Sequence, residues 1–123
     1  MLQIALEIPS PFNFQAVLYS HGWFQLVPFY WHTPSGTLFW ATRLPNQTPV
    51  VLQVRSEEKT REKTILYLNA DTDITPHKDH FIGKCRHIFN LDLDLNPFYR
   101  ICRKDPVLYS VISSGRGRLM RSE

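Results

Sequence analysis

The side chains best able to do chemistry crowd one short stretch: His77, His80, Cys85 and His87. A tetrahedral zinc site needs four converging donors, usually in tighter pairs than these. On a helix His77 and His80 share a face, whereas His87 is rotated from Cys85 by about 200° at 3.6 residues per turn. The segment therefore reads as exposed histidines beside a core cysteine, and no metal is expected. Asp92 and Asp94, two apart, would share one face of a strand, and a paired carboxylate can do acid and base work. They stand just before Asn96-Pro97, however, where a helix dipole favours acidic groups. The sequence has no glycine-rich phosphate loop after a strand, no nucleophile elbow and no HExxH motif. No catalytic residue and no cofactor are expected in this chain.

Two basic clusters remain, Arg100-Arg103-Lys104 and Arg116-Arg118-Arg121. Lys and Arg total 14 against 11 Asp and Glu, a net charge of +3. That is mild for a protein holding DNA by its own surface, because neutralised phosphates supply most of such affinity. Solvated helix ends are the ordinary role of such groups, worth roughly 0.3–1 kcal/mol near a helix C-terminus. Gly115 and Gly117 flank Arg116 and would let the chain turn there. Cys85 and Cys102 fall in different predicted helices and do not space as a disulfide framework, so two half-buried thiols in a reducing compartment are expected.

The elements that position these groups follow from periodicity. Leu2, Ile4, Leu6 and Ile8 alternate with Gln3, Ala5 and Glu7, the pattern of a half-buried strand. Ser10-Pro11 predicts a helix start, with a helix over 12–20 closed by Gly22. Trp23 to Trp31 reads as a strand whose Pro28 implies an edge or a bulge. Pro34-Ser35-Gly36 and Pro45-Asn46-Gln47-Thr48 are turns around a strand over 37–44, with Leu38 and Trp40 on one face and Phe39 on the other. Strands over 50–55 and 64–69 flank the mixed-charge run Ser56 to Lys63, read as a loop or long hairpin end. Thr75-Pro76 opens a helix carrying Phe81, Ile82, Cys85, Ile88 and Phe89 on one face. Asn96-Pro97 and Asp105-Pro106 each start a further helix, the last ending at Gly115.

The leucine–aspartate alternation at 91–95, the Pro97-Phe98-Tyr99 triplet, the Asp105-Pro106 helix and the exit Gly115-Arg116-Gly117-Arg118-Leu119-Met120-Arg121 together resemble a known junction. They are similar to the end of the N-terminal domain in DNA-3-methyladenine glycosylases of the helix-hairpin-helix superfamily. Gly22-Trp23-Phe24 with Pro28-Phe29-Tyr30-Trp31 resembles a second segment of that family. The resemblance covers most of the chain and implies a TATA-binding-protein-like N-terminal domain. It also implies that the catalytic aspartate and the helix-hairpin-helix lie beyond Glu123.

The expected fold is α+β, an antiparallel sheet of about five strands with packed helices. Residues 1–115 would form one domain, and 116–123 would begin a linker to a catalytic domain absent from this chain. The resemblance implies a non-catalytic part of a DNA repair enzyme for base excision of alkylated purines. It would be inactive alone and would meet double-stranded DNA through the full-length protein. Gly115, Arg116, Gly117, Arg118 and Arg121 are the candidates for DNA or interdomain contact. The alternative is a stand-alone module whose aromatic sheet, with Trp23, Tyr30, Phe39 and Tyr67 among its residues, takes a protein or nucleic acid. Glu7 interrupts the first apolar run and no basic segment precedes it, so no signal peptide, no membrane span and a cytoplasmic location are expected.

Overall fold

The computed structural model describes residues 3–9, 12–20, 23–60, 63–112 and 118–121. Five strands form one antiparallel sheet: β1 (Gln3–Pro9), β2 (Phe29–His32), β3 (Thr37–Arg43), β4 (Pro49–Thr60) and β5 (Lys63–Asn69). Their spatial order is β1-β5-β4-β3-β2, a four-strand meander with β1 laid on the far side of β5. The helices are α1 (Phe14–Leu18), α2 (Lys78–Ile88), α3 (Asn96–Cys102) and α4 (Pro106–Ile112). The fold is α+β.

A period of two organises the sheet. Along β4, Val50, Leu52 and Val54 are buried while Val51, Gln53 and Arg55 are exposed. Strand register carries the same face sideways: Ile4 lies opposite Leu68, Leu68 opposite Val54, and Val54 opposite Leu38. Successive side chains of a strand point to opposite faces, so these partners line one inner face. Phe14, Val17 and Leu18 of α1 pack into the same core as Phe81, Cys85 and Ile88 of α2. The Phe14 ring meets Phe89 edge-on at 5.6 Å and Trp31 at 6.1 Å, so α1 bridges β2 and the end of α2.

Several boundaries differ from expectation. The cap of α1 is Asn13, whose Oδ1 accepts from Ala16 N at 3.0 Å; Ser10, Pro11 and Gly22 lie outside the described residues. The strand expected over 23–31 is only β2, preceded by a 3-10 turn at Trp23–Gln25 and a cis Val27-Pro28 bond, although β2 is indeed a sheet edge. The charged run is a long hairpin: β4 continues to Thr60 and β5 begins at Lys63. Its Glu57–Lys59 and Glu7–Lys63 pairs, at 2.9 and 2.7 Å, are exposed and contribute little. Gly36, with φ +63°, takes the left-handed turn position that costs other residues strain. The N-cap of α3 is Leu95, which has no side-chain acceptor, and Asp94 accepts from Asn96 N at 3.0 Å in an Asx turn ahead of it, so Asn96 is the first helical residue and not the cap. Asp105 caps α4 as expected, accepting from Val107 N at 2.9 Å.

Adjacent positions on β4 test the inner-face assignment. Leu52→Ala removes a fully buried side chain and is expected to cost about 2–5 kcal/mol in denaturant unfolding. Val51→Ala, at a side chain 48% exposed on the other face, should stay within about 0.5 kcal/mol.

Candidate functional site

The C-terminal end of α2 is where the expected contact residues gather. Three hydrogen bonds close that helix: Phe89 N to Cys85 O, Asn90 N to His87 O and Leu91 N to Arg86 O. Asn90 sits at φ 55°, the left-handed position that ends a helix and that Asn tolerates better than most residues. A returning segment, 118–121, then satisfies carbonyls that a helix end leaves unpaired. Arg118 Nη1 donates to Asn90 O at 2.5 Å and to Leu93 O at 2.9 Å, and Arg121 N donates to Ile88 O at 2.7 Å. Met120 N donates to Ser20 Oγ at 2.9 Å, and the Met120 side chain, 1% exposed, enters the main core.

Of the five candidates for DNA or interdomain contact, Arg118 and Arg121 are therefore held on one strap. The Arg118 guanidinium is engaged with the 90–93 turn, and the Arg121 side chain is exposed. Gly115, Arg116 and Gly117 lie outside the described residues.

Beside the strap, α3 and α4 form a small hairpin with its own nucleus of Tyr99, Cys102 and Leu95. Burial pushes the Tyr99 phenol above its ordinary range, partly offset by the Arg118 charge. An open cleft of about 360 Å³ lies between β1 and the 91–96 turn, with Glu7, Asp92, Asp94, Tyr99 and Arg118 on its walls. Asp92 and Asp94 do not act together: Asp92 pairs with Arg86 at 3.1 Å, and Asp94 makes the Asx turn ahead of α3.

The hairpin carries several exposed apolar side chains. Among the described residues, five of the twelve large apolar side chains most open to solvent lie on α3 and α4, led by Val107 at 72% and Ile101 at 67%. Helix α3 thus carries apolar pairs at the same i, i+3 spacing on two sides, Tyr99 with Cys102 inward and Phe98 with Ile101 outward. That doubled spacing is present in the sequence, where Phe98, Tyr99, Ile101 and Cys102 are all apolar or aromatic.

The outer face of the sheet holds the other aromatics. Tyr30, 62% exposed, lies 6.1 Å from the Phe39 ring across the β2–β3 ladder. Lys59 stands 5.9 Å over the Tyr67 ring. Trp40 and Phe29 face inward and belong to the core.

The metal donors do not converge. Cys85 is buried under the sheet, His87 is exposed, and His80 Nε2 lies 3.4 Å from the Arg43 carbonyl oxygen. Among the described residues no group of three His, Cys, Asp or Glu side chains is placed to hold a metal ion. Cys85 and Cys102 are free thiols, both fully buried where half-buried was expected. No helix of the described residues is long and apolar enough to cross a membrane. No protein-family model, curated protein or solved structure matches the chain.

Arg118→Met should cost about 1–3 kcal/mol in unfolding free energy, the range for lost bonds from a charged donor. Arg121→Ala, whose tie is made by its backbone N–H, should stay within about 0.5 kcal/mol. Burial pushes the Cys85 thiol up to about 12. An unfolded thiol ionises near pH 8.5, so below that pH neither state is charged and the contribution of Cys85 to stability is constant. Above it the unfolded state loses its proton first, and stability falls as pH rises toward 12. At pH 8 alkylation of Cys85 should accordingly follow global unfolding, rising with urea as the unfolded population does, and mass spectrometry of the labelled chain reads this directly.

Proposed function

We propose that this chain is a non-catalytic docking domain, the N-terminal part of a base-excision enzyme that hydrolyses the N-glycosidic bond of alkylated purines. The observation that carries the docking role is the set of exposed apolar side chains on the α3–α4 hairpin. A contiguous exposed apolar patch marks an interaction site, and Phe98, Ile101, Val107, Leu108 and Tyr109 all stand open to solvent on these two helices. The nature of the partner rests on the sequence resemblance, which implies a helix-hairpin-helix catalytic domain following the strap and a TATA-binding-protein-like topology for this one. In that arrangement the damaged nucleotide is flipped into a pocket of the catalytic domain. This domain contributes a rigid wall, with Arg116, Arg118 and Arg121 near the rim of the DNA cleft.

A second reading is favoured by one observation, the exposed Tyr30 ring beside the half-buried Phe39 on the outer sheet face. Beside it stand Gln53 and Arg55 of β4, so the face offers stacking surface and a cation together. On this reading the chain is a module that binds a partner through the sheet.

Paired variants separate the two. Ile101→Glu with Val107→Glu alters only exposed side chains, so the unfolding free energy of the domain should change by no more than about 0.5 kcal/mol. In the full-length protein the same pair should lower base release from methylated DNA, while Tyr30→Ala with Phe39→Ala leaves it intact. Residues 1–123 alone should release no base. Base release by this purified chain, or a full-length enzyme indifferent to the Ile101 and Val107 changes, would overturn the proposal. Loss of nucleic-acid or protein binding in the Tyr30 and Phe39 variant alone would establish the second reading.

A further inference from the structure

Register places a definite set of side chains on the outer face of the sheet. One row runs across every strand, Gln3, Asn69, Gln53, Phe39 and Tyr30, each directly opposite the next. It passes from amides to aromatic rings. In the neighbouring row Tyr67 lies opposite Arg55, and Arg55, two residues from Gln53, is the diagonal neighbour of Phe39 at about 7–8 Å. Tyr30 is 62% exposed, Gln53 and Arg55 are exposed, and Phe39 is half-buried. The charges of this face are unequal. Its outward positions carry Arg43, Arg55, Lys59 and Lys63 against Glu7 and Glu57. Each carboxylate is already tied to a lysine, Glu57 to Lys59 at 2.9 Å and Glu7 to Lys63 at 2.7 Å. Among the described residues neither guanidinium of this face pairs with a carboxylate.

We infer that this face binds single-stranded nucleic acid, with bases stacked on Tyr30 and Phe39 and a backbone phosphate held by Arg55. The inference rests on the second reading above, that a partner is taken through the sheet, and it names that partner. It stands apart from the docking role, since none of these residues lies on the hairpin or the strap. The two rings are 6.1 Å apart and inclined by 48°, so they offer neighbouring platforms and not one flat surface. Stacking on a ring uses the face of a base, and a duplex presents only base edges in its grooves, so the strand must be unpaired. The Arg55 guanidinium supplies a planar fork that matches phosphate, and the positive charge left once Glu7 and Glu57 are paired complements the backbone. The amide of Gln53 both donates and accepts, as a base edge requires. Amides and cations around a few rings suit bases and phosphates better than they suit the apolar core of a protein interface. Base faces and phosphates are common to DNA and RNA, so both should bind.

Amide NMR of the chain titrated with deoxyuridine and uridine oligonucleotides about ten nucleotides long, within the usual range of such sites, tests it. Saturable shifts are expected with both at Tyr30, Phe39, Gln53 and Arg55, and none at these residues with a DNA duplex. Tyr30→Ala should weaken binding at least about fivefold, the low end for one stacked base. Arg55→Gln should also weaken it, and should lower the slope of log affinity against log salt by about 0.7, the share of one phosphate contact on a single strand. Both side chains are exposed, so each variant should keep the wild-type spectrum elsewhere. Shifts that never saturate, that fall on the hairpin and strap in place of the sheet, that appear with only one of the two sugars or equally with the duplex, or that are unchanged in both variants would overturn the inference. With nucleic acid excluded in this way, a protein partner lost in the Tyr30 and Phe39 variant would still uphold the sheet reading. If that variant loses no partner, the reading falls as well.

Discussion

Register in β4 is the constraint on which the remainder of the structure rests. Val50, Leu52 and Val54 must face the helices together, because a slip of one residue would bury Val51, Gln53 and Arg55 in their place. Each neighbouring strand inherits its own phase from that choice, β3 through Leu38 and Trp40, and β5 through Leu66 and Leu68. Once the inner face is set, α2 can lie only with Phe81, Cys85 and Ile88 against it, which turns His87 outward. The fate of the histidine and cysteine cluster is therefore decided by packing, not by ligand chemistry.

The end of α2 is the second fixed point, and it is closed by residues from afar. Arg118 and Arg121 reach carbonyls of the helix end and its turn, while Met120 fills the core and its amide meets Ser20 in the turn just after α1. The strap thus joins α1 and α2, the two elements that cover the sheet. A cation at this end also answers the negative pole of the helix.

The strands were legible because a half-buried sheet writes its period directly into the sequence, as in Ile4 to Ile8 and Thr37 to Arg43. β2 was overestimated because Trp23 to Trp31 is apolar throughout, and a continuous apolar run does not reveal where a chain turns. Caps were misplaced by a few residues where two candidates adjoin. Asp94 and Asn96 both carry a short acceptor, and an Asx turn from the earlier residue is a local choice that sequence alone leaves open. The strap was legible only as a basic, glycine-marked exit, since the Arg118 bond spans 28 residues and the Met120 bond spans 100. The Lys84–Thr42 hydrogen bond gave no signal at all. Lys84 and Thr42 lie 42 apart, and their meeting depends on the sheet register and the tilt of α2.

The α3–α4 hairpin then raises a question of balance. Among the described residues Tyr99 and Cys102 form its nucleus, with Leu95 packed at the side, and two such short helices are marginal by themselves. Capping helps at α4, where Asp105 satisfies two first-turn amides and such a cap is typically worth about 1 kcal/mol. The apolar side chains turned outward, Phe98, Ile101, Val107 and Leu108, add no stability while water surrounds them. Covering them would both remove that surface from water and stiffen the hairpin, so docking and ordering reinforce each other at the same residues. On the sheet face, by contrast, Tyr30 and Phe39 already cover one another in part, so the two surfaces differ in how much apolar area a contact would remove from water.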